Sequence, residues 1–315
     1  MTWVTVFAPA SIANVGPGFD CLGVAIAGPG DTVAVRRADG GRPGVVITEM
    51  TGHACGIPLE AGANCAGRAA AGVLRQLPAG VGQDTAIEMR IDKGLARGSG
   101  LGSSAASAVA GAVAVHLLLE SPLDSNALLL AALDGEEVAS GGRHADNLAA
   151  SLLGGFTIVK SHAPLEVARL EVPPQARFVV VLPEMEIETR YARSILPASI
   201  LLQDAIANWA NVGAMVAAVA RGSVADFGRA VVDQVAEPAR RHLIPGFDDV
   251  KRSALEAGAF GCSISGAGPA MFAVAMAETG DAVALAMHAA FARHGLPSRY
   301  FVCAPDNRGA RRVDA

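Results

Sequence analysis

The stretch "RGSGLGSSAASAVAG", residues 97–111, places a glycine-rich loop directly before an alanine-rich run. Gly98, Gly100 and Gly102 can adopt backbone conformations that strain other residues, at a cost in conformational entropy. Alanine is the strongest helix former, so the run predicts a helix over residues 104–119. Ser103 and Ser104 stand where this helix should begin, and serine is a favoured N-cap residue. The chain must therefore turn tightly into a helix at this point.

Such a loop is either a plain turn or a site for an anion. Glycines let backbone amides approach phosphate oxygens, and a helix N-terminus offers unpaired N–H groups and partial positive charge. A Walker loop requires a lysine before the Ser/Thr, and "GLGSS" has none. A dinucleotide-binding loop requires G-x-G-x-x-G, whereas this loop runs Gly98-x-Gly100-x-Gly102 and then continues with serine. Neither of these two standard motifs fits.

The bulk composition excludes several classes of function. Of the 315 residues, 51% are hydrophobic and 17% are charged, which is typical of a globular protein and argues against disorder. The net charge of −5 predicts no nucleic-acid partner and no anionic membrane partner. The apolar runs are too short to span a bilayer, and the N-terminus lacks the basic flank of a signal peptide. The five cysteines show no CxxC spacing, which predicts a reducing, cytoplasmic location.

The pattern along the chain predicts a mixed α+β protein in two halves. An alternating pattern opens the chain in "WVTVFAPAS", and a second set of strands and helices begins after about residue 165. We therefore expect domains over residues 1–165 and 166–315, with a frayed polar tail in "DNRGARRVDA". Helices are predicted over residues 64–77, 104–119, 126–138, 201–220, 224–235, 248–257 and 281–294. Strands are predicted over residues 32–36, 45–49, 85–91, 155–160, 177–183, 261–265 and 271–276, with a closing strand in "SRYFVCAP".

Three ordered segments resemble the motifs of the GHMP kinases. "GSGLGSSAAS", residues 98–107, resembles the phosphate-binding loop of that family, "PASIANVGPGFDCLGVA", residues 9–25, its first motif, and "SGAGPAMFAV", residues 265–274, its third. The resemblance implies an N-terminal domain similar to the second domain of ribosomal protein S5, with a left-handed β-α-β crossover. It also implies a ferredoxin-like C-terminal domain.

Further details resemble the homoserine-specific branch of the family, namely "NVGPGFD", "GGRHADN" at residues 141–147, and the pair "ETRYAR" and "EPARRHLIPGF". This implies transfer of the γ-phosphoryl of ATP, with Mg²⁺, to the hydroxyl of L-homoserine, giving O-phospho-L-homoserine for threonine biosynthesis. Three alternatives stay open: a GHMP kinase for another small alcohol such as L-threonine or a shikimate-type substrate, a non-catalytic relative that binds a metabolite or protein partner, and a glycine-rich α+β protein without nucleotide binding. Homodimers are common in the family, and no stripe in the sequence decides the oligomeric state.

The resemblance also implies a set of substrate-binding residues. Arginine suits bidentate binding of a carboxylate, and Arg193 and Arg240 match the carboxylate-binding arginines, with Arg241 as the alternative to Arg240. Asp20 and Asn14 match residues at the amino and hydroxyl ends of the substrate, although either could merely shape its own loop. The remaining residues expected in the same pocket are His144, Asn147 and Thr189.

The nucleotide and metal are assigned in the same way. Mg²⁺ prefers hard oxygen ligands, and Ser104 and Glu136 match the family's metal-binding serine and glutamate, with Ser103 and Glu137 as their neighbouring alternatives. Asn64 and Lys93 are expected towards the base and ribose. The backbone turns expected to hold the phosphates comprise Gly98, Ser99, Gly100, Leu101, Gly102, Ser103 and Ser104, together with Gly266 and Gly268 from the third motif.

The catalytic base is left open by the resemblance. Asp146 is the carboxylate candidate, and its alternative role is to organise His144 and Asn147. Phosphoryl transfer through a loose transition state needs little help from a base. Asn14 is expected to orient the substrate hydroxyl, so the predicted catalytic set is Asn14, Glu136 and Asp146.

Overall fold

The structure is a computed structural model that describes residues 2–40, 42–78, 81–82 and 84–313. The strands of these residues are β1 (Val4–Ala13), β2 (Leu22–Arg37), β3 (Gly44–Gly52), β4 (Ala86–Lys93), β5 (Phe156–His162), β6 (Leu165–Leu170), β7 (Ala176–Pro183), β8 (Gly261–Ile264), β9 (Met271–Met276), β10 (Ser298–Cys303) and β11 (Arg311–Val313). The helices are α1 (Cys65–Gln76), α2 (Ser103–Leu118), α3 (Ser125–Ser140), α4 (Asp146–Leu153), α5 (Thr189–Ser194), α6 (Leu202–Ala220), α7 (Val224–Arg229), α8 (Ala236–Arg240), α9 (Phe247–Glu256) and α10 (Gly280–Arg293).

The first sheet is built around the long strand β2, which pairs with three neighbours. Strand β1 runs antiparallel along it, β4 pairs with its second half, and β5 pairs with its first three residues. The strand order is β11-β1-β2-β4-β3, and β6 extends the sheet from β5. Strands β3 and β4 are parallel and are joined through α1, which is the predicted β-α-β unit. The handedness of that crossover stays a prediction.

The alanine-rich helix α2 lies at the centre of the first domain. Every residue from Ala105 to Val115 is buried, because the helix contacts the sheet on one side and α1, α3 and α4 on the others. Small side chains allow this close packing: a Cβ at Gly111 would lie 2.5 Å from the carbonyl oxygen of Ala66 on α1. The position of the glycine-rich loop is thereby tied to the most buried helix of the domain.

The second sheet has the order β10-β7-β9-β8 with all pairs antiparallel. This order, with helices between β7 and β8 and between β9 and β10, is the predicted ferredoxin-like arrangement, so the α+β fold class is confirmed. One face of the sheet packs against α9 and α10 around Met287 and Phe291. The other face joins the core of the first domain, where Phe227 makes edge-on contacts with Phe156 and Phe178.

Two secondary-structure predictions are wrong. The helix predicted over residues 224–235 ends at Arg229, because the Asp233 carboxylate accepts hydrogen bonds from the amides of residues 235–237 and starts α8 instead. The tail predicted to fray is ordered through residue 313. Asp306 is buried and binds Arg311, and residues 311–313 pair with β1. Residues 314 and 315 lie outside the described part of the chain.

The two sheets meet close to the predicted domain boundary. Strand β6 still belongs to the first sheet, so the change of sheet falls between Leu170 and Ala176, and the chain returns to the first sheet through β11. The division at residues 165 and 166 stays a prediction. Among the described residues, no helix combines the length and the apolar character needed to cross a bilayer.

Candidate active site

A cleft of about 530 Å³ is lined by residues from both halves of the chain. The first motif, the glycine-rich loop, helix α3 and the start of α4 contribute from the N-terminal half, while α5, α8 and the third motif contribute from the C-terminal half. The predicted residues in its lining are Asn14, Asp20, Asn64, Lys93, Gly98, Ser99, Gly100, Gly102, Ser103, Ser104, Glu136, His144, Asp146, Asn147, Thr189, Arg193, Arg240, Gly266 and Gly268.

The glycine-rich loop leaves the N-terminus of α2 open towards this cleft. Gly98, Gly100 and Gly102 have φ angles of 68°, 77° and 67°, which is the left-handed region that favours glycine. Gly102, and not a serine, is the N-cap residue of α2, and no side chain caps the helix. The predicted serine cap is therefore wrong, because both serine hydroxyls bind elsewhere. The first amides of a buried helix are left facing the cleft, which is an arrangement suited to an anion.

The serines of the loop have three different roles. The Ser103 hydroxyl donates to the carbonyl oxygen of Leu95 at 3.0 Å and so closes the base of the loop. The Ser104 hydroxyl donates to Glu136 Oε2 at 2.7 Å. The Ser99 hydroxyl is buried and has no hydrogen-bond partner among the described residues, although it lines the cleft. A buried polar atom without a partner is costly, and a ligand in the cleft can supply the missing partner.

Ser104 and Glu136 form a donor set that fits Mg²⁺. Both are hard oxygen ligands, and they are already 2.7 Å apart although 32 residues separate them in sequence. Mg²⁺ in kinases is usually held by one or two protein oxygens, with phosphates and water completing its octahedron. Two protein oxygens at the end of a phosphate-binding loop meet that requirement. Among the described residues, no group of three or more His, Cys, Asp or Glu side chains forms a denser metal site.

Lys93 has a structural role in addition to its place in the cleft lining. Its ammonium is buried, forms an ion pair with Asp31, and donates to Ser103 and to the Ser107 hydroxyl. Burial raises the pKa of Asp31, and Lys93 acts against this rise. Because the three protons of the ammonium are already engaged, we conclude that Lys93 ties the end of β4 to the start of α2 beneath the loop. Its predicted position towards the base and ribose stays a prediction.

Asn64 also has a structural role in addition to its place in the cleft. Its side-chain oxygen accepts hydrogen bonds from the amides of Ala66 and Gly67, which confirms it as the N-cap of α1. Its amide donates to the carbonyl oxygen of Pro58. The contact of Asn64 with the nucleotide stays a prediction. Both polar atoms of its side chain already have hydrogen-bond partners.

The third motif holds the loop from the C-terminal side. The Ser265 hydroxyl donates to the carbonyl oxygen of Gly100 at 2.5 Å. A Cβ at Gly100 would lie 2.7 Å from the carbonyl oxygen of Ser265 and 3.0 Å from that of Gly268, so only glycine fits. The loop is thus shaped by both domains.

Asp20 and Arg193 bind each other across the cleft. The Arg193 guanidinium donates from Nη1 to Asp20 Oδ2 at 2.8 Å and from Nη2 to Oδ1 at 2.6 Å. The bond to Asp20 raises the pKa of Arg193. The ring of Phe19 lies between the two predicted carboxylate-binding arginines, 5.1 Å from the Arg193 Cζ and 5.2 Å from that of Arg240. A charged pair beside an aromatic surface is a suitable place for a zwitterion.

Arg240, and not Arg241, faces the cleft. Arg240 is 4% exposed and donates to the carbonyl oxygens of Ala192 and Gly266 at 2.9 Å and 3.1 Å. Burial, and then the neighbouring Arg193, lower the pKa of Arg240. Arg241 is exposed and pairs with Asp248 at 3.5 Å, outside the cleft lining. Of the two arginines, Arg240 is therefore the one that lines the cleft, and its binding of a carboxylate stays a prediction.

Two asparagines connect the motifs. The Asn14 amide donates to the carbonyl oxygen of Gly266 at 3.0 Å, and its oxygen accepts from the Asp20 amide at 3.0 Å. Asn14 itself has a φ of 66°. Asn147 Oδ1 accepts from the buried Ser11 hydroxyl at 2.9 Å, which directs the Asn147 amide nitrogen away from Ser11. Both side chains are held in place by the fold before any ligand binds.

Asp146 is a buried carboxyl group of the cleft with a strongly raised pKa. Burial raises its pKa to about 7, and the nearby Asp20 charge also raises it, while the Asn147 amide and Arg193 act in the opposite direction. The pKa of His144 is lowered by burial and then by Arg193. A carboxyl group with a pKa near neutrality can take up or release a proton at physiological pH.

One predicted residue lies outside the cleft lining, and several lining residues were not predicted. Leu101 points into the core and is 1% exposed, so its side chain does not reach the cleft. No sequence motif marks the apolar residues of the cleft lining. The charged lining residues that were not predicted are identified only by the positions of α5 and of the glycine-rich loop in the fold. The unpredicted residues include Phe19, Ile57, Pro58, Cys65, Arg97, Val138, Ala139, Glu186, Glu188 and Arg190.

Comparison with known proteins decides the family. The model of the GHMP kinase N-terminal domain matches residues 64–155, and the model of the GHMP kinase C-terminal domain matches residues 215–293. The chain belongs to the GHMP kinase family. The resemblance to this family is thereby confirmed, and this GHMP kinase is an ATP-dependent kinase of small molecules.

Curated relatives and solved structures agree with this assignment. The GHMP kinase described here is 41% identical to the homoserine kinase of Chlorobaculum tepidum, over 99% of this chain and 98% of the relative. It is 43% identical to the homoserine kinase of Arabidopsis thaliana, over 99% of this chain and 85% of the relative. The crystal structure of homoserine kinase from Cytophaga hutchinsonii superposes with a TM-score of 0.92 at 41% identity, covering 99% of this chain and 98% of that one. L. major mevalonate kinase, at 16% identity and a TM-score of 0.70 over 95% of each chain, shares the fold.

Proposed function

We propose that this protein transfers the γ-phosphoryl group of ATP to the hydroxyl of L-homoserine, giving O-phospho-L-homoserine. The observation that carries the proposal is the arrangement of one cleft, in which an open helix N-terminus and the Ser104–Glu136 pair share a space with Asp20, Arg193 and Arg240. The residues suited to binding phosphate are thus adjacent to those suited to recognising an amino acid. The homoserine kinases that are 41% and 43% identical over nearly the whole chain support the same substrate.

The amino acid is bound at the Asp20 end of the cleft. Arg193 and Arg240 are suited to its carboxylate, since guanidinium groups bind carboxylates through two parallel hydrogen bonds. The Asp20 carboxylate would then exchange its present partner Arg193 for the substrate ammonium. His144 and Thr189 line the same end of the cleft. The Asp20–Arg193 ion pair is then replaced by two ion pairs, one between Asp20 and the substrate ammonium and one between Arg193 and the substrate carboxylate. Each of these charges therefore stays compensated.

ATP is bound at the loop end. The amides of the turn from Gly98 to Ser104 and the unpartnered Ser99 hydroxyl hold the phosphates, and Ser104 and Glu136 hold Mg²⁺. When bound, Mg²⁺ neutralises part of the charge on the phosphate oxygens. Ser265 of the third motif fixes the conformation of the loop by donating a hydrogen bond to the carbonyl oxygen of Gly100. The chain's contribution at this end is to position the triphosphate and to exclude water from it.

In the reaction, the hydroxyl oxygen of homoserine forms a bond to the γ-phosphorus, the bond from that phosphorus to the β,γ-bridging oxygen breaks, and ADP leaves. The hydroxyl proton must depart. Asp146, whose pKa is about 7, is a carboxyl group of the cleft able to accept it, and Asn14 and Asn147 are held by the fold in the same cleft, where they would orient the hydroxyl. Because the transition state is loose, positioning contributes more than base catalysis.

The test is a panel of alcohols assayed for ADP release with MgATP. L-Homoserine, L-threonine, L-serine, shikimate and mevalonate are compared by kcat/KM. Shikimate and mevalonate have no ammonium group to replace Arg193 on Asp20, and L-serine and L-threonine carry the hydroxyl one carbon nearer to the α-carbon than homoserine does. We expect homoserine to exceed each of the others by at least about 100-fold. A preference for any other alcohol, or no turnover with the whole panel, contradicts the proposal.

We also propose a homodimer and a cytoplasmic location. The outer face of α6 exposes Leu202, Ile206 and Trp209 at 68%, 52% and 65%, and no heavy atom lies within 4 Å of the position that a Cβ at Gly213 would take. Asp204 is the single charged residue of that helix. Large apolar side chains exposed together on one helix face are typical of a protein interface. All five cysteines lie in the described part of the chain and none is paired, which agrees with a reducing compartment.

A further inference from the structure

The cations that line the cleft differ in whether they are already engaged. Lys93 is buried in its ion pair with Asp31, and Arg193 is bound by Asp20. Arg240 is occupied by two backbone carbonyl oxygens. Three of the positive groups are therefore already engaged within the protein before a nucleotide arrives.

Two cleft arginines differ from this pattern. Arg97 and Arg190 both line the cleft, both are exposed, and neither has a hydrogen bond or an ion pair with another described residue. Arg190 Nη2 lies 2.8 Å from the position of a Cβ at Gly141, beyond the end of α3. Arg97 instead directly precedes Gly98, the first residue of the loop, and is thus the uncommitted cation carried by the loop segment itself.

An acidic side chain lies against the same end of the loop. A Cβ at Gly98 would be 2.9 Å from Glu186 Oε1, so the carboxylate of Glu186, from the C-terminal half, is in contact with the loop. Glu186 is itself exposed and lines the cleft. A triphosphate that enters here must approach this carboxylate, and repulsion between them weakens binding unless a cation compensates.

We propose that the Arg97 guanidinium binds a phosphate of ATP at the mouth of the loop and offsets the repulsion by Glu186. This inference rests on the proposed position of the triphosphate in the turn from Gly98 to Ser104. Lys93, the other cation near the loop, cannot take this role because its ammonium is bound to Asp31. Arg97 is therefore a nucleotide-binding residue, and Glu186 limits the affinity for ATP.

The experiment compares Arg97→Ala, Arg97→Lys and Glu186→Gln, with Arg37→Ala as the matched control. Arg37 is also exposed and lies outside the cleft lining. We expect Arg97→Ala to raise the KM for ATP about five- to tenfold at about 50 mM KCl and by a smaller factor at about 300 mM, because salt screens exposed charges. Arg97→Lys is expected to keep part of the affinity for ATP, because the positive charge is retained. The KM for homoserine stays within about twofold of wild type for each variant.

Glu186→Gln tests the inference through a change of the KM for ATP in the opposite direction. Removing its charge is expected to lower the KM for ATP about two- to threefold, and Arg97→Ala combined with Glu186→Gln is expected to lie between the two single variants. Arg37→Ala leaves all values unchanged. An unchanged KM for ATP in Arg97→Ala, or a rise in Glu186→Gln, overturns the inference.

A loop variant separates failure of this inference from failure of the proposed triphosphate position. Ser99→Ala removes the unpartnered hydroxyl of the loop without adding bulk. Weaker binding of a non-hydrolysable ATP analogue by Ser99→Ala in calorimetry, together with unchanged binding by Arg97→Ala, means that the triphosphate lies in the loop and only the role of Arg97 is wrong. Unchanged binding by both variants means that the triphosphate lies elsewhere, which overturns both statements.

Discussion

Asp20 and Arg193, separated by 173 residues in the sequence, form two hydrogen bonds of 2.6 Å and 2.8 Å across the cleft. One is the predicted partner of the substrate ammonium, and the other is the predicted partner of its carboxylate. The charges predicted to recognise the substrate are therefore held as a pair before it binds. An amino acid that offers both charges can replace this pair without leaving either group uncompensated, whereas a simple alcohol cannot.

Arg193→Ala tests the carboxylate contact. The variant is expected to raise the KM for homoserine about 30- to 100-fold, since hydrogen bonds to a charged group are worth about 1.5–3 kcal/mol. The KM for ATP should change little. Arg241→Ala is the control, because Arg241 lies outside the cleft and pairs with Asp248. Steady-state kinetics in both substrates measure this, and an unchanged KM for homoserine removes Arg193 from the binding site.

Glu136→Gln tests the metal site while preserving shape. We expect kcat to fall and the half-saturating Mg²⁺ concentration to rise about 10- to 100-fold, because a carboxylate ligand is replaced by a neutral amide. Glu137→Gln is the matched control: it is the next residue on α3, it is exposed, and it pairs with Arg143 at 3.5 Å. Titration of Mg²⁺ at saturating ATP measures the effect. Equal behaviour of the two variants would assign Glu136 a merely structural role.

Much of this site could be predicted from the sequence, because its residues lie within motifs that are local in the chain. Ser104 and Glu136 do meet, as expected. The role of Lys93 could not be predicted in this way, because its partner Asp31 lies on a different strand and its burial depends on the packing of α2. Likewise, only the fold shows that Gly102 caps α2, since the serine hydroxyls find partners on Leu95 and α3.

Asp146→Asn tests the buried carboxyl group through stability. The pKa of Asp146 is raised from 3.8 to about 7 in the folded protein, chiefly by burial. The folded state therefore prefers the protonated form, and stability is lost as the pH rises towards 7. The variant removes this loss, so we expect it to stabilise the fold by about 2–4 kcal/mol at pH 8, by less at pH 5 and by almost nothing below the pKa of the unfolded state.

Urea denaturation across that pH range measures the difference, with Asp281→Asn, an exposed aspartate on α10, as the control. The kinetics give a second readout. With Asp146 as the proton acceptor, kcat/KM for homoserine falls as the pH is lowered through about 7, and Asp146→Asn loses that limb of the profile. An acidic limb that persists in the variant assigns the titration to another group.

Trp209→Glu tests the proposed dimer. The wild-type protein is expected to sediment with twice the mass of one chain, and a charge in the middle of the exposed apolar face of α6 should give the mass of a single chain. Arg299→Glu, on β10 and away from α6, is the control. A wild-type protein that sediments as a monomer at micromolar concentration contradicts the dimer without affecting the proposed reaction.

The most direct test of the central claim is ³¹P NMR of the wild-type protein with MgATP and L-homoserine. We predict that the γ-phosphate resonance of ATP disappears as one phosphomonoester resonance and the two resonances of ADP appear in equal molar amounts. Glu136→Gln should slow this conversion severely. Conversion of ATP to ADP and inorganic phosphate without a new phosphomonoester, or no consumption of ATP, contradicts the account.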